Sequence, residues 1–169
     1  MANRLHEVHV MGNEPSHPDP EEILARLRAD IGLATPWRRH DVTAADTIRF
    51  QAAVDPAARS IAPVPAPAEP PPTYFSPDPI VLSQQLGLER QRPYPNTLDG
   101  GTRWQWLGAL RTGDTVQLKA EIVDVVRKAG SGTTGTMFLT TLLVTCAALN
   151  GDVIARCWGT SISYEGVPS

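Results

Sequence analysis

Asn150-Gly151 stands between two long runs of strand-forming residues, Thr136–Leu149 and Asp152–Tyr164. That dipeptide is the strongest short-range hairpin signal a sequence carries, because both turn residues accept positive φ. Folding about it sets Cys146 opposite Ala155 and leaves Cys157 on the same face, diagonal to Cys146. Upstream, Val116, Leu118, Ala120 and Ile122 alternate with Gln117, Lys119 and Glu121, the pattern of a half-buried strand. The phase switches at Val123 and Val125, which predicts a β-bulge. Thr102–Leu110 also reads as a strand, with Trp104 and Trp106 on one face, and Thr112-Gly113-Asp114 as the turn after it. Thr136–Leu149 carries apolar residues on both faces and so needs a cover on each. The C-terminal part of the chain is therefore expected to be a long antiparallel meander.

The N-terminal part reads differently. Residues 1–18 are polar and hold three of the four His, which suggests a mobile arm; His6 and His9, three apart, lie in no helical context and make a poor metal site. Asp19-Pro20-Glu21-Glu22 is a helix start, with a capping Asp, a Pro in the first turn and two acids at the positive end of the dipole. Ile23, Leu24, Leu27 and Ile31 follow at helical spacing up to Gly32. Thr43-Ala44-Ala45-Asp46 opens a second helix, apolar on most sides and hence buried, that stops at Asp55-Pro56. Nine of the sixteen prolines then fall between Pro56 and Pro79. Such a tract favours polyproline II and cannot pair as a central strand. Tyr74-Phe75 directly after it suggest a segment that docks as a strap, and the stretch from there to Asp99 reads as polar and turn-rich.

Composition narrows the function classes. With 15 Lys and Arg against 18 Asp and Glu, and no basic run, the chain is not a general nucleic-acid binder. No stretch approaches the roughly 18 apolar residues of a membrane span, and the first residues lack a signal-peptide pattern, so a cytoplasmic location is expected. Cys146 and Cys157 read as a reduced, buried pair without a nearby His, not as nucleophiles. Gly130, Gly132 and Gly135 have no Lys-Ser/Thr at P-loop spacing and form no nucleotide loop. No metal site and no bound cofactor are expected.

The order of several motifs carries a family resemblance. Gly100-Gly101-Thr-Arg-Trp-Gln-Trp, Arg111-Thr-Gly-Asp114, Ile122-Val-Asp-Val-Val-Arg-Lys-Ala-Gly130, Phe138-Leu-Thr-Thr141 and Asn150-Gly-Asp-Val-Ile-Ala155 together resemble the hotdog fold. More narrowly, the chain resembles the N-terminal, MaoC-like half of double-hotdog (R)-specific enoyl-thioester hydratases and dehydratases, over roughly residues 40–165. Pro63–Tyr74 resembles the proline-rich crossover of mesaconyl-CoA-type hydratases. The resemblance implies an α+β class: one long antiparallel sheet wrapped around a buried central helix, plus a short N-terminal helix. It implies one hotdog domain over 19–165, with 56–79 as its crossover. It also implies a substrate carried as a coenzyme A or pantetheine thioester, and a hotdog partner in a homodimer or heterodimer.

In that family the chemistry belongs to the other half, where an Asp and a His five residues apart, in Asp-x-Asn-Pro-x-His, add or remove water. One group handles the α-proton, another the hydroxyl, and backbone N–H groups hold the thioester oxygen. Here Met1, Arg4, Gly12 and Thr35 stand five positions before His6, His9, His17 and His40, and none is acidic. The dyad is absent. The chain therefore reads first as the non-catalytic partner subunit of a heteromeric hydratase or 3-hydroxyacyl dehydratase. A self-sufficient homodimeric dehydratase, cyclase or thioesterase would draw on Asp99, Tyr94 or His40. A third reading is a binding module whose proline tract is the ligand. Arg103, Trp104, Arg127 and Lys128 are the candidates for contact with the acyl thioester and its phosphates, set against packing for Trp104 and a solvated face for the cations. Asp114 reads as the cap of its turn.

Overall fold

In a computed structural model, residues 18–45, 79–88 and 90–166 are described. The expected arm up to residue 17, all but the first residues of the helix opened by Thr43, and the proline tract up to residue 78 lie outside them; Ala44 and Ala45 are helical.

Helix α1, Pro20–Ala29, begins as its sequence dictates. Asp19 Oδ1 accepts the Glu21 N–H at 2.9 Å, Glu21 and Glu22 fill the first turn and Arg26 and Arg28 the last, while Ile23, Leu24 and Leu27 are buried. Removing the cap with Asp19→Ala is expected to cost about 1 kcal/mol and lower the melting temperature by about 2–4 °C. A melting curve superimposable on wild type would refute the capping role.

Five strands form one antiparallel sheet: β1 (Arg38–Asp41), β2 (Asn96–Trp106), β3 (Thr115–Ala129), β4 (Thr136–Ala148) and β5 (Val153–Tyr164), in the order β1-β3-β4-β5-β2. Strands β3, β4 and β5 are the meander the alternation foretold. The bulge falls as expected, between Ile122 and Asp124, so that Val125 regains the buried face. Arg28 Nε donates to the Val125 carbonyl at 3.4 Å. Cys146 faces Ala155 as expected. The register shifts by one beyond it, so residues 149–152 close the hairpin instead of two residues alone. Asn150 drives this: its Oδ1 accepts the Asp152 N–H and its Nδ2 donates to Asp152 Oδ2.

Two expectations are corrected. Strand β2 starts at Asn96 instead of Thr102, ends at Trp106, and pairs with β5 at the far edge instead of continuing the meander into β3. The turn at Thr112–Asp114 exists, with the Arg111 N–H donating to Asp114 Oδ2 at 2.6 Å, but it leads from edge strand β2 to β3 on the far side of β4 and β5. Strand β1 has the neighbouring place on β3. Second, the polar stretch before Asp99 contains a helix, α2 (Pro79–Gln85), whose buried Pro79, Ile80 and Ser83 face the sheet. Both α1 and α2 pack on one face, closing a core around Phe138, Ile122, Leu142 and Val125.

Candidate functional site

Along β5 the positions facing the helices are Ala155, Cys157, Gly159, Ser161 and Ser163, all small and all buried. Small residues let α2 approach the backbone: a Cβ built at Gly159 would lie 2.3 Å from Pro79 Cγ. They also leave room for indoles on β2. Trp104 pairs with Cys157 and Trp106 with Ala155, and the two rings stack with centroids 5.5 Å apart and planes 10° from parallel. The result is a flat aromatic wall, half-buried, at the β2 edge of the helix-covered face.

A polar patch lies farther along the same face. Thr140 and Ser161 are buried opposite one another. Ser163 Oγ accepts the Tyr94 N–H at 3.0 Å and donates to the Tyr94 carbonyl at 3.2 Å. The Tyr94 ring is buried and stacks on Phe138 at 5.6 Å. Burial raises its phenol above the ordinary 10.0, helped by Glu165; a hydrogen bond with Thr136 and the charge of Arg127 oppose that rise. At physiological pH this hydroxyl is a proton donor, not a base.

The residues singled out in the sequence do not converge. Tyr94 and Arg127 meet at the glycine-loop end, where Arg127 is ion-paired with Glu21 of α1. His40 sits on β1 opposite Val116, near the other end of β3. Eleven residues of strand separate Val116 from Arg127, roughly 35 Å at ~3.3 Å per residue. Asp99 lies on the opposite edge strand, exposed, and its Oδ1 accepts the Gly101 N–H at 2.8 Å. There it holds the bulge between Asp99 and Thr102, where Gly101 has φ 102° and a side chain would be strained. Trp104 faces the helices, whereas Arg103 points to the other face with its guanidinium 3.9 Å from the Trp158 ring centroid. Lys128 is exposed on that other face too, across from Met137.

Among the described residues no group of three His, Cys, Asp or Glu is placed to hold a metal ion. Both cysteines are buried, and burial pushes the Cys146 thiol up to about 12. The thiol form is thus kept in the folded chain well above the pH at which an unfolded cysteine ionises. Stability should hold below an unfolded-state value of 9.0 and fall as pH rises from there towards 12. Urea titrations at pH 7.5, 9 and 10.5 should show the decline, and Cys146→Ala should flatten it; an unflattened decline assigns it to other groups.

The sequence signals single out the aromatic pair and Tyr94 but not Thr140, Ser161 and Ser163. The available signal was the run of five small residues at alternate positions of β5, which marks a strand that another element approaches closely.

The fold matches known structures. A chain of the ChsH1–ChsH2 complex from Mycobacterium tuberculosis superposes with TM-score 0.59 at 17% identity, covering 88% of this chain and 93% of that one. A chain of the HadBC (3R-hydroxyacyl-ACP dehydratase) complex from the same organism gives 0.56 at 15%, covering 79% and 97%. A MaoC-like dehydratase gives 0.57 at 17%, covering 85% of this chain but 44% of that longer one. These likenesses define the chain as an α+β hotdog fold. A family model described as FAS1-like, dehydratase domain region, matches residues 37–156, and the chain belongs to that family. No curated protein matches by sequence. Among the described residues no helix is long and apolar enough to cross a membrane.

Proposed function

We propose that this chain is the non-catalytic subunit of a heteromeric (R)-specific enoyl-thioester hydratase or 3-hydroxyacyl-thioester dehydratase, working in the cytoplasm beside a dyad-bearing hotdog chain. One observation carries the reading: a member of a dehydratase family has no acid five residues before any of its four His. The placement of the other candidates supports it. Tyr94 and His40 lie near opposite ends of the sheet, and Asp99 is committed to its bulge. General acid–base work needs both groups within hydrogen-bond reach of one substrate. The HadBC and ChsH1–ChsH2 structures, each a complex of two components, support an assembly in which one hotdog chain completes another.

In this assembly the partner subunit's Asp and His move the α-proton and the hydroxyl. This chain shapes the acyl pocket, with the flat wall of Trp104 and Trp106 as its contact surface. Arg127 and Lys128 at the glycine loop are the cations available to coenzyme A or carrier-protein phosphates. The test is an assay of crotonyl-thioester hydration by this chain alone, by the dyad-bearing chain encoded beside it alone, and by both together. Activity of the mixture should exceed that of this chain alone by at least ~100-fold, the low end of what one general acid–base group contributes. Equal activity from this chain alone would overturn the proposal.

A further inference from the structure

Helices α1 and α2 pack on one face of the sheet, and among the described residues no helix is seated on the other. The strand register resolves that outer face into rows running across β3, β4, β5 and β2. One row is Val126–Leu139–Ile162–Leu98, four apolar side chains with Leu98 52% exposed. Another is Glu121–Leu143–Trp158–Arg103, an acid at one edge and a base at the other with two apolar groups between. Between these rows Thr141 and Thr160 stand side by side, their hydroxyls 3.4 Å apart.

We propose that this outer face is a two-fold interface with a second copy of the chain, its axis parallel to the strands and between β4 and β5. The row chemistry carries the argument. Such an axis lays β4 on the partner's β5 and β3 on the partner's β2. Glu121 then meets the partner's Arg103, Leu143 meets the partner's Trp158, Leu139 the partner's Ile162, and Val126 the partner's Leu98. Lys119 falls on the partner's Gln105 and Arg156 on the partner's Thr145, so no like charges meet. An axis across the strands and centred on the threonine row would instead stack Asp124 on itself and bury Glu121 and Arg103 against Val126 and Leu98. Packed sheets lie about 10 Å apart and roughly 30° from parallel, a gap that one Glu and one Arg side chain span together. Arg103, held over Trp158, is already oriented towards that gap. Four strands at ~4.8 Å by about nine residues at ~3.3 Å present roughly 600 Å² per copy. Two such faces reach the ~1,000 Å² that a specific interface needs. The proposal does not rest on the catalytic reading above.

A charge-reversal exchange on the full chain tests it, read by light scattering and sedimentation at micromolar concentration. Glu121 and Arg103 are separated by two intervening strands, so they cannot pair within one copy. The wild-type chain of 18.3 kDa should run at twice that mass. Arg103→Glu alone and Glu121→Arg alone should each weaken dimerisation by about tenfold or more, since like charges then face each other. Mixing the two variants should restore a dimer, because both contacts become acid against base again. The variant carrying both changes in one chain should also dimerise, and serves if either single variant folds poorly. A monomeric wild type, a dimer indifferent to the single reversals, or a loss that neither the mixture nor the double variant repairs would overturn the proposal. Association only with the dyad-bearing chain, broken by the same reversals, would assign the face to that chain and overturn it equally.

Discussion

Phe138→Ala is expected to lower the stability of the fold by about 3–5 kcal/mol, a large part of the 5–15 kcal/mol that holds a domain together. Phe138 is 1% exposed and sits on central strand β4, where its ring stacks on Tyr94 at 5.6 Å. Truncation leaves a cavity that its neighbours cannot fill, because Tyr94 is pinned by two hydrogen bonds to Ser163 and Arg127 and Ser163 flank the site across the ladder. Loss of transfer energy and the unfilled cavity therefore add. Urea unfolding followed by Trp fluorescence and by circular dichroism measures it. A loss under 1 kcal/mol would mean that the ring is not a core anchor.

Gly159→Val is the second large effect. The new side chain would enter the space of the Pro79 ring, where a Cβ alone would lie 2.3 Å from Cγ. A proline ring at the start of a helix does not rotate away, so α2 must shift or the strand must bend. Overpacking of this kind costs about 1–3 kcal/mol, and it displaces Ile80 and Ser83 from the core. Gly159→Ala should show a smaller loss in the same direction. Pro79→Ala combined with Gly159→Ala should recover part of it, because the clash is with that ring. Additive losses in the pair would refute the close approach of α2 to β5 at this point.

The central sheet was legible because its signals are local. Alternation over Val116–Ile122, the phase switch at Val123 and the Asn150-Gly151 turn are each written within a few residues. The placement of β2 was not, since nothing near Trp106 says whether its neighbour will be β3 or β5. That choice depends on β1 occupying the β3 edge and on the small residues of β5 accepting two indoles. Helix α2 was missed because seven residues of Pro-Ile-Val-Leu-Ser-Gln-Gln offer no second turn of periodicity and lack charges at either end. The candidate site divides in the same way. Absence of the Asp and His pair is a property of spacing and is visible in the sequence. The separation of His40 from Tyr94 and Asp99 depends on which edge each strand takes.

The most direct test of the account asks which chain holds the reacting groups. In the reconstituted pair, replacing the partner subunit's dyad His with alanine should reduce hydration by ~10²–10⁴-fold. His40→Ala and Asp99→Ala in this chain should each leave the rate within about threefold, the effect of small structural changes remote from the chemistry. The reverse pattern, in which the partner variant stays active and a change at His40 or Asp99 removes turnover, would place the chemistry in this chain and contradict the account.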